Sequence, residues 1–288
     1  MSLRPLIVVP MLCLLGFPSA RARALEGAAV LRQPAPAESY KPDFLGDDND
    51  AFRRLLLNPA ASERWLVPTQ TGGVLLVVEK GYLDEAGLDR LAADLQEATA
   101  GIPAFVGVPS KLRGRFTLYV YNDGPFSRAH VPGAMPGEQG LMLRFVREGK
   151  DPLFHEMTHM LVGYSQSQSL AEGLADVVQA RFRPGQASAF VAAGTDPDAM
   201  ARMATVVQRP SFFKTLGAFG AWDWQDSETR KDFYYCSWSF ARFLLKRAPM
   251  PALVAVYASG GGDEEYLRGY GKNRDELVAA WRAGLRRS

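Results

Sequence analysis

The stretch "DPLFHEMTHMLVG", residues 151–163, contains two of the three histidines in this 288-residue chain. Its H-E-x-x-H core places His155 and His159 four residues apart, with Glu156 between them. Side chains at positions i and i+4 project from the same side of an α-helix, so two imidazoles at this spacing can share one metal ion. The stretch therefore predicts a helix that carries part of a metal site.

The residues around this core favour a helix from 151 to 164. Asp151 is a good N-cap, and Pro152 suits the first helical position because the N–H that proline lacks would be unpaired there. Glu156 lies about 60° beyond His159 around the helix axis. It is therefore expected to flank the metal without binding it, where it could take a proton from a metal-bound water. The apolar face expected to bury the helix consists of Leu153, Met157, Met160, Leu161 and Tyr164.

The core motif alone does not establish a metal site, because H-E-x-x-H should arise by chance in roughly one chain of this length per hundred. A second predicted helix, within "SLAEGLADVV", adds Glu172 and Asp176 at i and i+4, on a face that avoids its apolar stripe. Gly173 between them costs about 1 kcal/mol in a helix relative to alanine. We expect glycine at this position because the two helices approach each other closely.

The combination of "HEMTH" with the downstream "EGLAD" resembles the gluzincin metallopeptidases, the group that contains thermolysin-like and aminopeptidase N-like enzymes. The terminal "GYGKNRDELVAAWRAGL" resembles the end of small bacterial members of this superfamily. The resemblance implies that His155, His159 and Glu172 bind one Zn²⁺ ion per chain. It also implies that Glu156 is the general base, and that Asp176 orients a ligand histidine from outside the coordination sphere.

Glu172 also has an explanation that involves no metal. Ser169-x-x-Glu172 fits a capping box, in which the glutamate would accept a hydrogen bond from the Ser169 backbone N–H at the start of the helix. Both explanations place Glu172 in the first turn of the same helix, so the pattern leaves both open.

Two further stretches bear a weaker resemblance to aminopeptidase N-like enzymes. In "YYCSWSFARFLLKR" the resemblance places Tyr234 as the donor of a hydrogen bond to the oxyanion of the reaction. The alternatives are that Tyr235 has this role, or that both tyrosines are core aromatics. "GAMPG", residues 133–137, departs from the aminopeptidase signature because Pro136 and Gly137 replace its glutamate and asparagine. Aminopeptidase specificity is therefore not inferred.

Strand patterns precede helical patterns along the chain. "GGVLLVVEKGYL", "RGRFTLYVYNDG" and "GLMLRFVRE" are typical of strands, with a helix predicted in "DEAGLDRLAADLQEATAG" and a loop in "SRAHVPGAMPGEQG". This order predicts an α+β fold, in which an α+β lobe is followed by a helical C-terminal lobe. The resemblance to gluzincins implies that the first lobe is a zincin-like catalytic lobe with a small mixed sheet and active-site helices. From residue 151 onward, helices are predicted at 151–164, 169–181, 196–207, 233–246 and 274–285.

The N-terminal segment has the features of a secretory signal peptide: a basic start, an apolar run at 6–17, and small residues before a cleavage site. The run is shorter than the about 20 residues that a spanning helix needs. We therefore expect export to the periplasm or medium, without stable membrane insertion unless the signal stays uncleaved. The expected organisation is a signal peptide at 1–24, an extended arm or linker at 25–50, the α+β lobe at 51–165, and the helical lobe with the glutamate ligand at 166–288.

Composition limits the possible partners. Three of the 33 basic residues and none of the 31 acidic ones lie in the signal segment, so the mature chain would be close to neutral. This balance gives no electrostatic case for nucleic acid. The mature chain would keep one cysteine, Cys236, expected to be a small buried hydrophobe, so no intramolecular disulfide is expected. His130 is expected to be an ordinary polar loop residue.

These expectations favour an exported zinc-dependent metallopeptidase that hydrolyses peptide bonds with a zinc-activated water and Glu156 as general base. Its partner would be a peptide or protein substrate, which could add as an extra strand along "GLMLRFV" if that strand lies at the sheet edge. One alternative is a zinc-binding protein of the same fold that does not turn over peptides; retention of Glu156 favours the enzyme. Another is a metal-dependent hydrolase with a non-peptide substrate. The sequence leaves the cleavage preference, endo- or exo-action and the oligomeric state open.

Overall fold

The computed structural model of this chain describes residues 32–35, 59–70, 72–112, 114–122, 128–130, 140–185, 194, 196–204 and 227–286. The signal segment, most of the arm at 25–50, and "GAMPG" lie outside the described residues. Among the described residues, no helix is both long enough and apolar enough to cross a membrane.

Six strands of the described chain form one mixed sheet, in the order β1-β2-β3-β4-β6-β5. The pairs β3–β4 and β4–β6 are parallel. The pairs β1–β2, β2–β3 and β5–β6 are antiparallel. The prediction of an α+β fold with a small mixed sheet is confirmed. The strands are β1 (Gln33–Pro34), β2 (Ser62–Val67), β3 (Val74–Glu79), β4 (Phe116–Val120), β5 (Arg128–His130) and β6 (Gly140–Leu143).

The described chain after residue 151 contains helices and no strand, as the sequence predicts. Two helices in this part, α6 (Met250–Ala258) and α7 (Asp263–Tyr270), were not predicted. The first, "MPALVAVYA", is apolar almost throughout and therefore shows no helical stripe, and the second is only 8 residues long. The helices of the described chain are α1 (Glu85–Val106), α2 (Leu153–Val162), α3 (Gln168–Phe182), α4 (Pro197–Met203), α5 (Ser227–Leu245), α6 (Met250–Ala258), α7 (Asp263–Tyr270) and α8 (Arg274–Leu285).

Helix α1 makes the crossover between the parallel strands β3 and β4, which a tight turn could not join. It begins where the Asp84 side chain accepts a hydrogen bond from the Gly87 backbone N–H, and it ends at Gly107, which has a left-handed φ of 78°. The first five residues of β3 are all buried, as is typical of a central strand covered on both faces. The apolar run "VLLVV" thus forms part of the middle of the sheet.

The prediction that "GLMLRFV" forms the sheet edge is wrong. Strand β6 lies between β4 and β5, so both of its sides are paired. Strand β5 is the last in the order, and it lies in the segment predicted to be a loop. It was missed because three residues are too few for an alternating pattern, and only the pairing with β6 defines the strand. His130 therefore belongs to a strand that packs near α2.

The described part of the predicted arm packs on the sheet. Strand β1 pairs with β2, and the Arg32 guanidinium lies 4.1 Å from the centre of the Trp65 ring. Arg32 also forms ion pairs with Glu85 and, at 2.9 Å, with Asp89, both in α1. This short segment of the arm is thus held by both β2 and α1.

One apolar cluster runs from the sheet into the C-terminal helices. It includes side chains from β3, β4 and β6 and from α1 and α2. It also includes side chains from helices that follow residue 166 in the chain, such as Phe240 in α5 and Trp281 in α8. A second cluster covers the other face of the sheet and consists of Leu75, Val77, Tyr119, Tyr121 and Met142. The main core therefore contains residues from both sides of the predicted lobe boundary at 165/166. The predicted domain boundaries stay predictions.

Gly173 permits a close helix contact, but the partner helix differs from the expected one. The sequence predicts this contact between α2 and α3. A Cβ atom on Gly173 would instead lie 2.4 Å from the backbone carbonyl oxygen of Ser237, in α5. Helix α3 is thus packed between α2 and α5, and glycine is required on its α5 side.

We predict that Gly173→Ala destabilises the protein by about 1–3 kcal/mol, the usual cost of overpacking. The helix-propensity gain of about 1 kcal/mol does not compensate for it, because the added methyl group meets a backbone oxygen that no rotamer change can move. Urea unfolding followed by circular dichroism measures the effect. The matched control is Gly284→Ala in α8, where a Cβ would meet nothing within 4 Å. Equal stability of the two variants would contradict the prediction.

Candidate metal centre

Helices α2 and α3 bring three side chains together as a group that could hold a metal ion. The ligand-type atoms of His155, His159 and Glu172 all lie within 4.8 Å of one another. The two Nε2 atoms are 3.3 Å apart. Oε2 of Glu172 lies 3.0 Å from Nε2 of His155 and 3.5 Å from Nε2 of His159. All three residues are nearly inaccessible to solvent, at 2–3% exposure.

These separations fit a tetrahedral metal ion. Bonds of about 2.0–2.1 Å at tetrahedral angles place neighbouring ligand atoms about 3.3 Å apart, and the three observed distances lie on either side of that value. Two imidazole nitrogens with one carboxylate oxygen also form a donor set that leaves a fourth position for water or substrate. The residues present therefore fit a metal ion with an open coordination position.

Helix α2 begins slightly later than predicted. It starts at Leu153 with Pro152 as N-cap, whereas Asp151 had been expected as the cap. Oδ1 of Asp151 accepts a hydrogen bond from the Leu153 backbone N–H at 3.3 Å, so Asp151 still caps the chain from one residue further out. All ten residues of α2 are buried, because the sheet side and α3 enclose the helix.

Helix α3 presents a polar stripe to one residue of α2. Glu172, Asp176 and Gln179 are spaced at i, i+4 and i+7, and all three contact His155. Oδ1 of Asp176 lies 2.8 Å from Nδ1 of His155, the position expected for a group that orients a ligand histidine. Oε1 of Gln179 accepts a hydrogen bond from the His155 backbone N–H at 3.0 Å. The stripe therefore fixes both the ring and the backbone of His155.

Gln179 is a site residue that was not predicted, although the sequence contains a signal for it. It continues the spacing of Glu172 and Asp176 by one more turn, on a helix whose other positions are largely apolar. Its amide satisfies a backbone N–H in the first turn of α2, where no intrahelical acceptor exists. A buried glutamine in register with an acidic pair was therefore a candidate for contact with the neighbouring helix.

The charges of the stripe change the ionisation of the metal-site residues. Burial lowers the pKa of His155, but the charges and hydrogen bonds of Asp176 and Glu172 outweigh this effect and raise its pKa well above 6.5. Burial raises the pKa of Glu172, but the charge of His159 and the hydrogen bonds from both histidines lower it below its ordinary value. His155 therefore holds a proton strongly, and a metal ion must displace it.

Tyr164 lies directly against the site, although it was predicted to belong to the apolar face of α2. The helix ends at Val162, and the chain turns at Gly163, which has a φ of 83°. The Tyr164 ring then stacks on His159 with centroids 4.7 Å apart, and its hydroxyl donates a 2.7 Å hydrogen bond to Oε1 of Glu172. The turn at Gly163 redirects Tyr164. The prediction from helix periodicity was wrong because it assumed that the helix continues to Tyr164.

The structure also brings Tyr234 and Glu156 to the site. Tyr234 lies on the side of α5 that faces the site, with its ring centroid 6.1 Å from that of His155. Burial raises the pKa of Tyr234 well above 10, and the charges of Glu172 and Glu156 add to this effect. Both Tyr234 and Glu156 are buried, at 7% and 6% exposure. Tyr235 is equally buried and is the next residue of the same helix.

The capping-box explanation for Glu172 is wrong. Helix α3 begins at Gln168 with Ser167 as N-cap, so Ser169 lies inside the helix and does not occupy a cap position. The Glu172 carboxylate is turned towards His155 and Tyr164. Of the other candidates, the His130 side chain lies outside the described part of the structure. Cys236 is a free, buried cysteine whose thiol pKa is raised by burial.

Comparisons with family models, with curated proteins and with solved structures found no match for the chain. The resemblance to gluzincins therefore depends on two short motifs, "HEMTH" and "EGLAD", and on the arrangement of their side chains.

We predict that Gln179→Ala lowers the free energy of unfolding by about 1–3 kcal/mol, the cost of leaving the buried His155 N–H without its acceptor. Urea unfolding of the metal-free protein measures this change. Gln96→Ala is the matched control, because Gln96 donates one hydrogen bond to the Pro68 carbonyl at a solvent-exposed position where water can replace it. A loss no larger than that of the control would show that Gln179 is not needed to hold α2.

We predict that metal affinity continues to rise at pH values where an ordinary histidine has already lost its proton. The pKa of His155 is raised, so protons compete with the metal above pH 6.5, where a normal imidazole would already be neutral. Zinc competition with a chelator, measured at several pH values, should show affinity still increasing above pH 7. In Asp176→Asn the affinity should fall about 10–100-fold, and its pH dependence should level off at lower pH. A parent affinity that is flat above pH 7 would contradict the raised pKa.

Proposed function

We propose that the protein is an exported zinc metallopeptidase of the gluzincin type, with a zincin-like catalytic lobe. The observation that carries the proposal is the set of three ligand atoms, 3.0–3.5 Å apart, on two adjoining buried helices. The order of the residues along the chain also supports it, since Glu156 lies between the two histidines and Glu172 comes from the next helix.

Zinc is the metal that the donor set favours. Two imidazoles and one carboxylate suit a borderline-soft ion in tetrahedral geometry, and His155, His159 and Glu172 would hold it. When bound, zinc supplies a Lewis acid that makes water more acidic and polarises a substrate carbonyl. Asp176 would keep the His155 ring in the orientation that this binding requires, and Gln179 would hold the His155 backbone.

Glu156 would act as the general base. It precedes His159 by three residues and follows His155 by one, so helix geometry directs it to flank the two histidines, and it is not one of the three residues grouped as ligands. It would accept the proton of the attacking water and then donate that proton to the leaving amine, which becomes a neutral amine as the C–N bond breaks. Its low exposure keeps bulk water away during the transfer.

Tyr234 would donate a hydrogen bond to the oxyanion that forms on the substrate carbonyl. Because its pKa is raised well above 10, the hydroxyl keeps its proton and remains a donor at neutral pH. Tyr235 is the alternative donor. The edge strand β5, which packs near α2, offers a place where an extended peptide could pair through its backbone.

Peptide cleavage by the zinc-loaded protein tests this function. We expect a diverse peptide mixture to be cut at sites that mass spectrometry can map. Glu156→Gln should retain zinc but lower the cleavage rate by a factor of about 10² or more, because it removes the proton acceptor and leaves all three ligands in place. The variant also controls for contaminating proteases, because cleavage by a contaminant would be the same in the parent and variant preparations.

Two results would count against the proposal. If Glu156→Gln cleaved peptides at the parent rate, Glu156 would not be the base. If the parent bound zinc but cut no peptide, the peptidase assignment would be wrong. The choice would then lie between a zinc-binding protein without turnover and a hydrolase with a non-peptide substrate.

A further inference from the structure

We infer that Tyr164 is a positioning residue that selects which oxygen of Glu172 binds the metal. The inference rests on the proposed zinc site and concerns how the chain shapes it. Oε2 of Glu172 faces the Nε2 atoms of both histidines, at 3.0 and 3.5 Å. Oε1 accepts a 2.7 Å hydrogen bond from the Tyr164 hydroxyl. The two carboxylate oxygens therefore have different partners.

The division between the two oxygens matters for catalysis. A carboxylate that is free to rotate can bind a metal through one oxygen or through both. A catalytic zinc site needs three protein ligand atoms and one position for water. By engaging Oε1, Tyr164 leaves Oε2 of Glu172 as the single ligand atom, so the fourth position stays available.

Tyr164 is held in place from both sides by one residue of α6. Before it, the Gly163 carbonyl accepts a hydrogen bond from the Tyr257 hydroxyl. After it, the Ser165 hydroxyl donates a 2.7 Å hydrogen bond to the Tyr257 carbonyl. Gly163 has a φ of 83°, a left-handed backbone conformation that a side chain would strain, so the turn that aims Tyr164 also needs glycine. The Tyr164 backbone is thus fixed independently of the metal ligands.

The ring of Tyr164 supports a second ligand. It stacks on His159 at 4.7 Å, with an angle of 28° between the ring planes. Nδ1 of His159 is buried and has no hydrogen-bond partner within the described part of the chain. His155, by contrast, is oriented through Nδ1 by Asp176. Tyr164 therefore contacts two of the three ligands, and its hydroxyl and its ring can be tested separately.

Tyr164→Phe removes the hydroxyl and keeps the ring. We expect zinc affinity, measured by chelator competition, to fall about 10–100-fold, the usual effect of losing a group that orients a ligand. The visible absorption spectrum of the cobalt-substituted protein should also change, because the Glu172 carboxylate becomes free to bind through both oxygens. A purely structural role for Tyr164 would alter stability and leave this spectrum unchanged. Tyr164→Leu, which removes the ring as well, should weaken binding further.

The control variant is Tyr270→Phe in α7. Its hydroxyl is buried and has no hydrogen-bond partner among the described residues, so zinc affinity and the cobalt spectrum should match the parent. Parent-like affinity and spectrum in Tyr164→Phe would overturn the inference while leaving the proposed function intact. Failure of the parent itself to bind zinc or cobalt would overturn the proposed function, and the inference with it.

Tyr257→Phe decides the question if Tyr164→Phe does not fold. This change releases the Gly163 carbonyl and loosens the turn before Tyr164, without touching any ligand. We expect a smaller loss of zinc affinity and a cobalt spectrum shifted in the same direction. A parent-like result for a folded Tyr257→Phe protein would then overturn the inference.

Discussion

The contact between α2 and α3 at His155 is the constraint on which the rest of the structure depends. Three groups spaced along α3 bind the ring and the backbone of this one residue. Burying a charged cluster is costly unless each charge has a partner, and a metal ion would complete the pairing. The two helices therefore have one register in which these groups are satisfied, and that register also brings His159 to Glu172.

The elements around this contact keep the two helices in that register. Helix α5 supports the far side of α3 through the close approach at Gly173, and α6 holds the turn that carries Tyr164. The sheet and α1 enclose the other side of α2 within the same apolar cluster. Support thus comes from segments far apart in the chain, which explains why one continuous core crosses the predicted boundary between lobes.

The geometry of the candidate metal site limits the type of reaction more than it limits the class of substrate. The distances between the candidate ligand atoms fit a metal ion, and the proposed activation of a water beside that metal adds the buried Glu156 and Tyr234. The same groups would suit other bonds that water can attack, since a fold and a metal site do not define a substrate. The edge strand β5 near α2 is the feature that favours an extended peptide chain.

Local spacing in the sequence was enough to predict α2 and α3, the shared face of the two histidines, and the α+β class. These features follow from helix and strand periodicity, which neighbouring residues determine. The tertiary structure alone decided that β5 is an edge strand of the described sheet, that Gly173 faces α5, and that Gln179 and Tyr164 contact the candidate ligands. Each of these depends on which segments meet in space, or on a turn such as the one at Gly163, and periodicity along one segment carries no information about either.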